Sequence, residues 1–515
     1  MVYLKLFFSI FLIQSSFHLF AQLPVAHSKP SLQAVNLLSV NSEGENFYDY
    51  ELSLFTLPIS EVVTQRVIAA KKAEKDLLSL NFFYNGKGML APPNFPPFDL
   101  DSSLGETAVE IAKGYLRRNY GIIVESRSAI GVFQTKYKGV NASLVGCAMC
   151  HTGRAAGFTI PGLGNKNIDV FRLGQSFKKH YDTIKNVEAV TGGGDAETRK
   201  MMFENFRTFI TNLTHPKLHN ETQGLVPTGI IRKWFYDNAG VEMDHFQKGQ
   251  VKVPAFWGYG EKRKVGAFAD GFGNGVLGGW AIAVELVAGQ TPANVKQYVD
   301  KIELAEHKLG ELMPPLYPFK IDTVAAENGK RVFENTCSKC HGTYSRTLDG
   351  LPIYEPPTWK AWEAVKTDQG RLFGQTPLFM ELVDNNPLIE IMQRTGEGGK
   401  GYFAPRLHGV WARFPYLHNG SVPTIIDLIS PPASRPKLFS LSDAGELRRF
   451  DAAKLGLNKD SRIKDAELKR LASKGARYIY DTSKPEHGNQ GHYFSSFEKL
   501  TLRDKTALVE YLKTL

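Results

Sequence analysis

Apolar positions fall into a few separated runs along the chain. Leu6 to Phe20 is mostly apolar with Ser, Gln and His breaks, follows Lys5 and ends beside Ala21. A basic start, a short apolar run and a small residue predict a secretory signal over 1–21, removed before Gln22. The run is shorter than the roughly 18 residues a spanning helix needs, so cleavage is expected rather than a stable membrane span. Ala108, Ile111, Ala112, Tyr115 and Leu116 recur at helical spacing, with Ser103 and Glu106 placed as a capping pair. Trp280 to Val287 reads as a buried helix, and Pro387 to Arg394 as a helix with Met392 on its apolar face. Ala325, Ala326, Gly329, Val332 and Phe333 mark a further helix, and Ala507, Leu508, Tyr511, Leu512 and Leu515 share one face of a closing one. Extended or loop segments separate these runs: Pro92 to Phe98 is rich in proline, and Thr191 to Asp195 in glycine. The expected fold is mainly α, with extended loops and little sheet.

The chemistry sits just after two of these elements. Cys147-Ala-Met-Cys150-His151 and Cys337-Ser-Lys-Cys340-His341 repeat one pattern and use all four cysteines. C-x-x-C-H is the attachment signature of c-type haem. On a helix, cysteines at i and i+3 and a histidine at i+4 share a face. Two sulfurs then reach one porphyrin while the imidazole takes the iron. A four-cysteine zinc site is the rival. Its two pairs would sit at 147 and 337, against a spacing of roughly 15–20 residues in a zinc ribbon, and zinc gives no reason for a histidine after each pair. Two covalently bound c-type haems are expected, in two cytochrome c-like haem domains. The boundaries read as 22–103 for an N-terminal wrapping segment, 104–320 for the first haem domain and 321–515 for a C-terminal cytochrome c domain. In the last of these, the first and last helices are expected to cross near Val332 and Phe333.

Composition changes this picture little. Of 515 residues 43% are hydrophobic and 22% charged, an ordinary globular balance. The net charge of +10 suits an acidic electron-donor or acceptor protein, and no nucleic-acid motif accompanies it. With every cysteine in a haem motif, none remains for a disulfide. Haem attachment and the leading segment together place the protein in the periplasm or outside the cell.

Other residues are candidates for these sites. His215, His219 and His245 are possible distal ligands of the first iron; Met380 and Met392 are possible sixth ligands of the second. Arg154 and Arg172 are candidates to pair haem propionates. Val253-Pro-Ala-Phe-Trp257-Gly, the basic run Lys262 to Lys264 and the Gly-rich, aromatic stretch Phe268 to Gly275 read as the lining of a haem site.

Ala404 to Ile429, APRLHGVWARFPYLHNGSVPTIIDLI, is more specific. It resembles the segment after the second haem in the bacterial di-haem cytochrome c peroxidase and MauG superfamily. The Gly488-Asn-Gln-Gly-His492 pattern and the closing ALVEYLKTL are similar to the rubber oxygenase branch and its di-haem relatives. The resemblance implies that His151 and His341 are proximal ligands and that His492 is the distal ligand of the second haem, with His418 as its competitor. It also implies that Trp257 stands between the haems as an electron stepping stone, and that Phe268 or Phe272 lies over the first haem. The activity implied is oxidation by O2 or peroxide at the N-terminal haem, with electron relay through the other; a non-catalytic carrier is the alternative. The acidic and amide residues that peroxidases place over their reactive haem have no match here, and the chain is shorter than the rubber oxygenases.

Overall fold

The computed structural model describes residues 39–40, 46–47, 90–91, 105–125, 128–137, 140–183, 195–257, 270, 293, 314–346, 352–355, 360–386 and 401–515. The expectations for 1–21, Ser103, Trp280–Val287, Met392, Phe268 and Phe272 lie outside them. Helix makes up 44% and strand 12% of the described regions, and every sheet has two or three short strands. Among the described residues, no helix is long and apolar enough to cross a membrane.

Helix α1, Glu106–Tyr120, follows Gly105 with no side-chain cap. It ends at Gly121, whose φ of 72° lets its N–H reach the Arg117 carbonyl. Its one fully buried residue is Val109, and Ile111, expected on the inner face, is 43% exposed. The apolar spacing gave the helix correctly: Leu116 and Tyr120 pack against the core, and of the five spaced residues Ile111 faces out. A hairpin of β1, Val132–Tyr137, and β2, Val140–Val145, delivers the chain to α2, Ala148–His151. A second hairpin follows, β3, Thr152–Ala155, against β4, Phe158–Pro161. The first cysteine–histidine motif is therefore held between two small sheets. Helices α3, Val170–Thr183, and α4, Ala196–Leu213, pack through Phe177 and Phe206, ring centroids 5.9 Å apart. Strand β5, Leu225–Pro227, pairs with β6, Gln250–Lys252, and flanks α5, Gly229–Ala239.

Helix α6, Thr323–Thr336, is capped by the Asp322 carboxylate, which accepts from Ala325 N–H. It runs into α7, Ser338–His341. Helix α8, Pro377–Asp384, packs on α5 through Phe379 and Phe235. Helix α9, Ile425–Leu428, is short. Helix α10, Leu502–Thr514, opens with a reciprocal capping box between Thr501 and Asp504. The expected crossing of α6 and α10 is present. Gly329 lies against the Ala507 carbonyl, so that any Cβ there would collide, and Phe333 meets Tyr511 at 5.3 Å. The largest apolar core takes Ala155, Leu163 and Trp257 from before position 320 and Phe333, Trp411 and Leu508 from after it.

Candidate functional site

Both cysteine–histidine motifs form a single helical turn, with Cys147 O accepting from His151 N–H and Cys337 O from His341 N–H, each at 2.9 Å. Each turn puts its two sulfurs and its imidazole on one side. His151 Nδ1 lies 2.9 Å from the Pro254 carbonyl, and His341 Nδ1 lies 3.0 Å from the Pro405 carbonyl. A carbonyl only accepts, so both Nδ1 atoms carry the proton and both Nε2 lone pairs are left for a metal. Burial pushes the Cys150 thiol up to about 11. Burial does the same at Cys337, against a hydrogen bond from Thr336 that lowers it. Among the described residues, no three His, Cys, Asp or Glu side chains converge as a metal cage, so the four cysteines are not gathered into one site.

The two proline carbonyls belong to short loops that meet. Three residues beyond Pro254, Trp257 donates its indole N–H to the His408 carbonyl at 2.9 Å; His408 lies three residues beyond Pro405. Trp257 is 6% exposed and lies against Gly409, where an added Cβ would come 3.1 Å from indole Cζ2. A continuous path thus runs from His151 through Pro254 to Trp257, across to His408, and back to Pro405 and His341. The sequence reading placed Trp257 between the motifs but did not find the two carbonyl acceptors.

Around the second motif is a cavity of about 560 Å³ lined by Cys337, Cys340, His341 and His492. The His492 and His341 ring centroids are 6.0 Å apart. His492 Nδ1 is buried and has no hydrogen-bond partner among the described residues. Burial, then the nearby His341 and Arg435, lower its pKa to about 3, so it stays neutral and can ligate. The backbone beneath it is fixed: His492 N–H reaches Val365 O at 2.7 Å, and φ at His492 is 47°. Buried Arg435 ties this loop to α9, donating to the Gly491 carbonyl at 2.9 Å and the Leu428 carbonyl at 2.9 Å. His418 lines the same cavity, but stacks on Tyr402 at 5.4 Å. Its Nε2 is likewise buried without a partner, and burial lowers its pKa to about 3. Lys166, Lys252, Lys339, Arg406 and Arg413 line the cavity, and among the described residues no Asp or Glu does. An apolar chamber with two thiols, an imidazole and cations fits a covalently held porphyrin with its two carboxylates.

The remaining candidates are engaged elsewhere. His215 stacks on Phe246 and His219 on Phe171, and His245 lies 3.6 Å from Asp244. Met380 is buried in the core face of α8. Arg154 is paired with Glu446 at 2.7 Å, and Arg172 is exposed on α3, so neither faces the cavity. Phe256, which the sequence reading passed over, stacks on His151 with centroids 3.7 Å apart and planes at 12°.

Residues 401–440 match the family described as RoxA-like, cytochrome c-like. That segment carries Pro405, His408 and His418. Such a domain implies a covalently bound c-type haem and electron-transfer partners. The chain is 32% identical over 202 residues to the uncharacterized protein y4iM of Sinorhizobium fredii, covering 36% of this chain and 44% of that one. It is 40% identical over 137 residues to the uncharacterized protein y4iJ of the same organism, covering 24% of this chain and 20% of that one. The matches thus span less than half the length of either relative.

Proposed function

We propose that the chain is an exported di-haem c-type cytochrome acting as an oxidoreductase, related to the di-haem peroxidase and rubber oxygenase proteins. One haem is attached at Cys147 and Cys150 and held by His151. The other is attached at Cys337 and Cys340 and held by His341 and His492. When bound, haem iron supplies one-electron redox chemistry and a place for O2 or peroxide to react. The chain's own residues do the remaining work. Pro254 and Pro405 hold each imidazole in the tautomer that ligates. Trp257 bridges the two loops, giving electrons a route between the N-terminal reactive centre and the C-terminal relay. The basic surface favours an acidic partner protein. The observation that carries this reading is the mirrored pair of Nδ1–carbonyl bonds joined through Trp257 and His408.

The test is the mass of the mature protein made with cytochrome c maturation machinery, followed by electron paramagnetic resonance of its oxidised form. Two haems per chain are expected, one giving a high-spin and one a low-spin ferric signal. Two low-spin signals would assign the chain as an electron carrier instead. One haem, or none, would refute the proposal.

A further inference from the structure

Lys166 and Lys252 are two cations that this function leaves unused. Lys166 is 7% exposed. Its ammonium donates to the Arg154 carbonyl at 2.8 Å and the Ala412 carbonyl at 3.0 Å, and sits 3.9 Å from the Phe414 ring centroid. The Lys252 ammonium donates to the Arg413 and Pro415 carbonyls, each at 2.7 Å. Two lysines from the first half of the chain therefore grip residues 412–415 of the second half. An ammonium has three donors, and carbonyls satisfy two of them in each case. Carbonyls solvate a charge without neutralising it, and a buried charge lacking a counter-charge is costly. Both lysines line the cavity, and among the described residues no carboxylate does. Burial accordingly lowers Lys166 to about 7 and Lys252 well below its ordinary value, with Arg413 and Lys166 adding repulsion at the latter. Two positive groups at one chamber wall call for a dianion inside it.

We propose that Lys166 and Lys252 neutralise the two propionates of the haem attached at Cys337 and Cys340. This rests on the haem reading above. The cavity includes those two cysteines and His341, while Cys147, Cys150 and His151 are not among its lining residues. The pairing also ties the first half of the chain to a group carried by the second.

The test uses Lys166→Met and Lys252→Met, singly and together, in the fully matured protein. Mass should show an unchanged haem complement. Spectroelectrochemical titration should show a lower potential at one haem, because removing a nearby positive charge favours the ferric form. At a fixed poise, its ferrous-to-ferric ratio should fall about tenfold in the double variant, a size set by unit charges at low effective dielectric. Lys252→Arg, which keeps the charge, should restore most of the single-variant loss. A folded variant with its haems attached and both potentials unchanged overturns the clamp, as does a shift confined to the haem at Cys147 and Cys150. If the double variant does not fold, the single variants and Lys252→Arg decide by the same criterion. Wild-type protein without haem at Cys337 and Cys340 would defeat the underlying reading instead, and mass reveals that before any potential is read.

Discussion

The two cysteine–histidine motifs share a turn, a tautomer and a proline acceptor, and differ in what meets the imidazole. His151 is covered face to face by Phe256 at 3.7 Å. Among the described residues, His341 has no such ring on its face; a second histidine, His492, stands 6.0 Å from it across the cavity, tilted by 57°. The pentapeptide turns are alike. The residues that meet the two imidazoles come from sequence more than a hundred residues away, and there the sites part. A polar histidine with an unsatisfied buried nitrogen suits a second iron ligand. The candidate histidines His215 and His219 stack on Phe246 and Phe171, and His245 lies beside Asp244. On the proposed function, that difference would separate a relay from a reactive centre.

The largest expected effect breaks this difference directly. His492→Ala should convert all of one low-spin haem signal to high spin or to a replacement ligand, with both haems still attached and the other signal unchanged. The measurement is electron paramagnetic resonance beside intact mass. His418→Ala should leave both signals as they are, since its ring stacks on Tyr402. The opposite pattern would exchange the two histidines.

The parts legible from sequence were those with a local period. Both cysteine–histidine turns and the helix before Cys337 follow from spacing that a few residues declare, while the crossing of α6 with α10 was expected from the outline of a cytochrome c domain. The parts missed depend on partners distant in sequence. Arg154 looked available for a propionate, but its carboxylate partner Glu446 is 292 residues away. Lys166 and Lys252 went unremarked, because nothing local distinguishes a lysine that will be buried among carbonyls. Pro254 and Pro405 act through a carbonyl that no side-chain motif reports. Phe256 was hidden beside the more conspicuous Trp257.

A smaller effect sharpens the comparison from the first site. Phe256 is 2% exposed and supplies the face against His151. Phe256→Ala should cost about 3–5 kcal/mol of stability, the usual range for a buried Phe truncated to Ala. The expected spectral change is confined to the haem at Cys147 and Cys150. Denaturant titration monitored at each haem's absorption band would measure both. A loss below about 1 kcal/mol, or a disturbance at the second haem, would remove Phe256 as the feature that distinguishes the sites.

The smallest stability effect tests what joins the sites. Trp257→Phe keeps an aromatic ring but loses the N–H that donates to the His408 carbonyl. The lost bond should cost about 1 kcal/mol, and the missing part of the indole roughly as much again. If Trp257 only fills the core, that is the whole consequence. If it is the bridge, electron equilibration between the haems should also slow, while both absorption spectra remain near wild type. Stopped-flow oxidation by peroxide, followed at each haem's band in a single turnover, separates the two. Gly409→Ala supplies a control with the indole retained. Its added Cβ would press on Cζ2 at 3.1 Å, at a position whose φ is 64°, shifting the ring without removing it. A bridge that depends on the Trp257–His408 contact should be slowed by both substitutions, whereas a bridge that needs only the indole should be slowed by Trp257→Phe alone. Wild-type kinetics in a folded Trp257→Phe protein would leave the two sites without this connection.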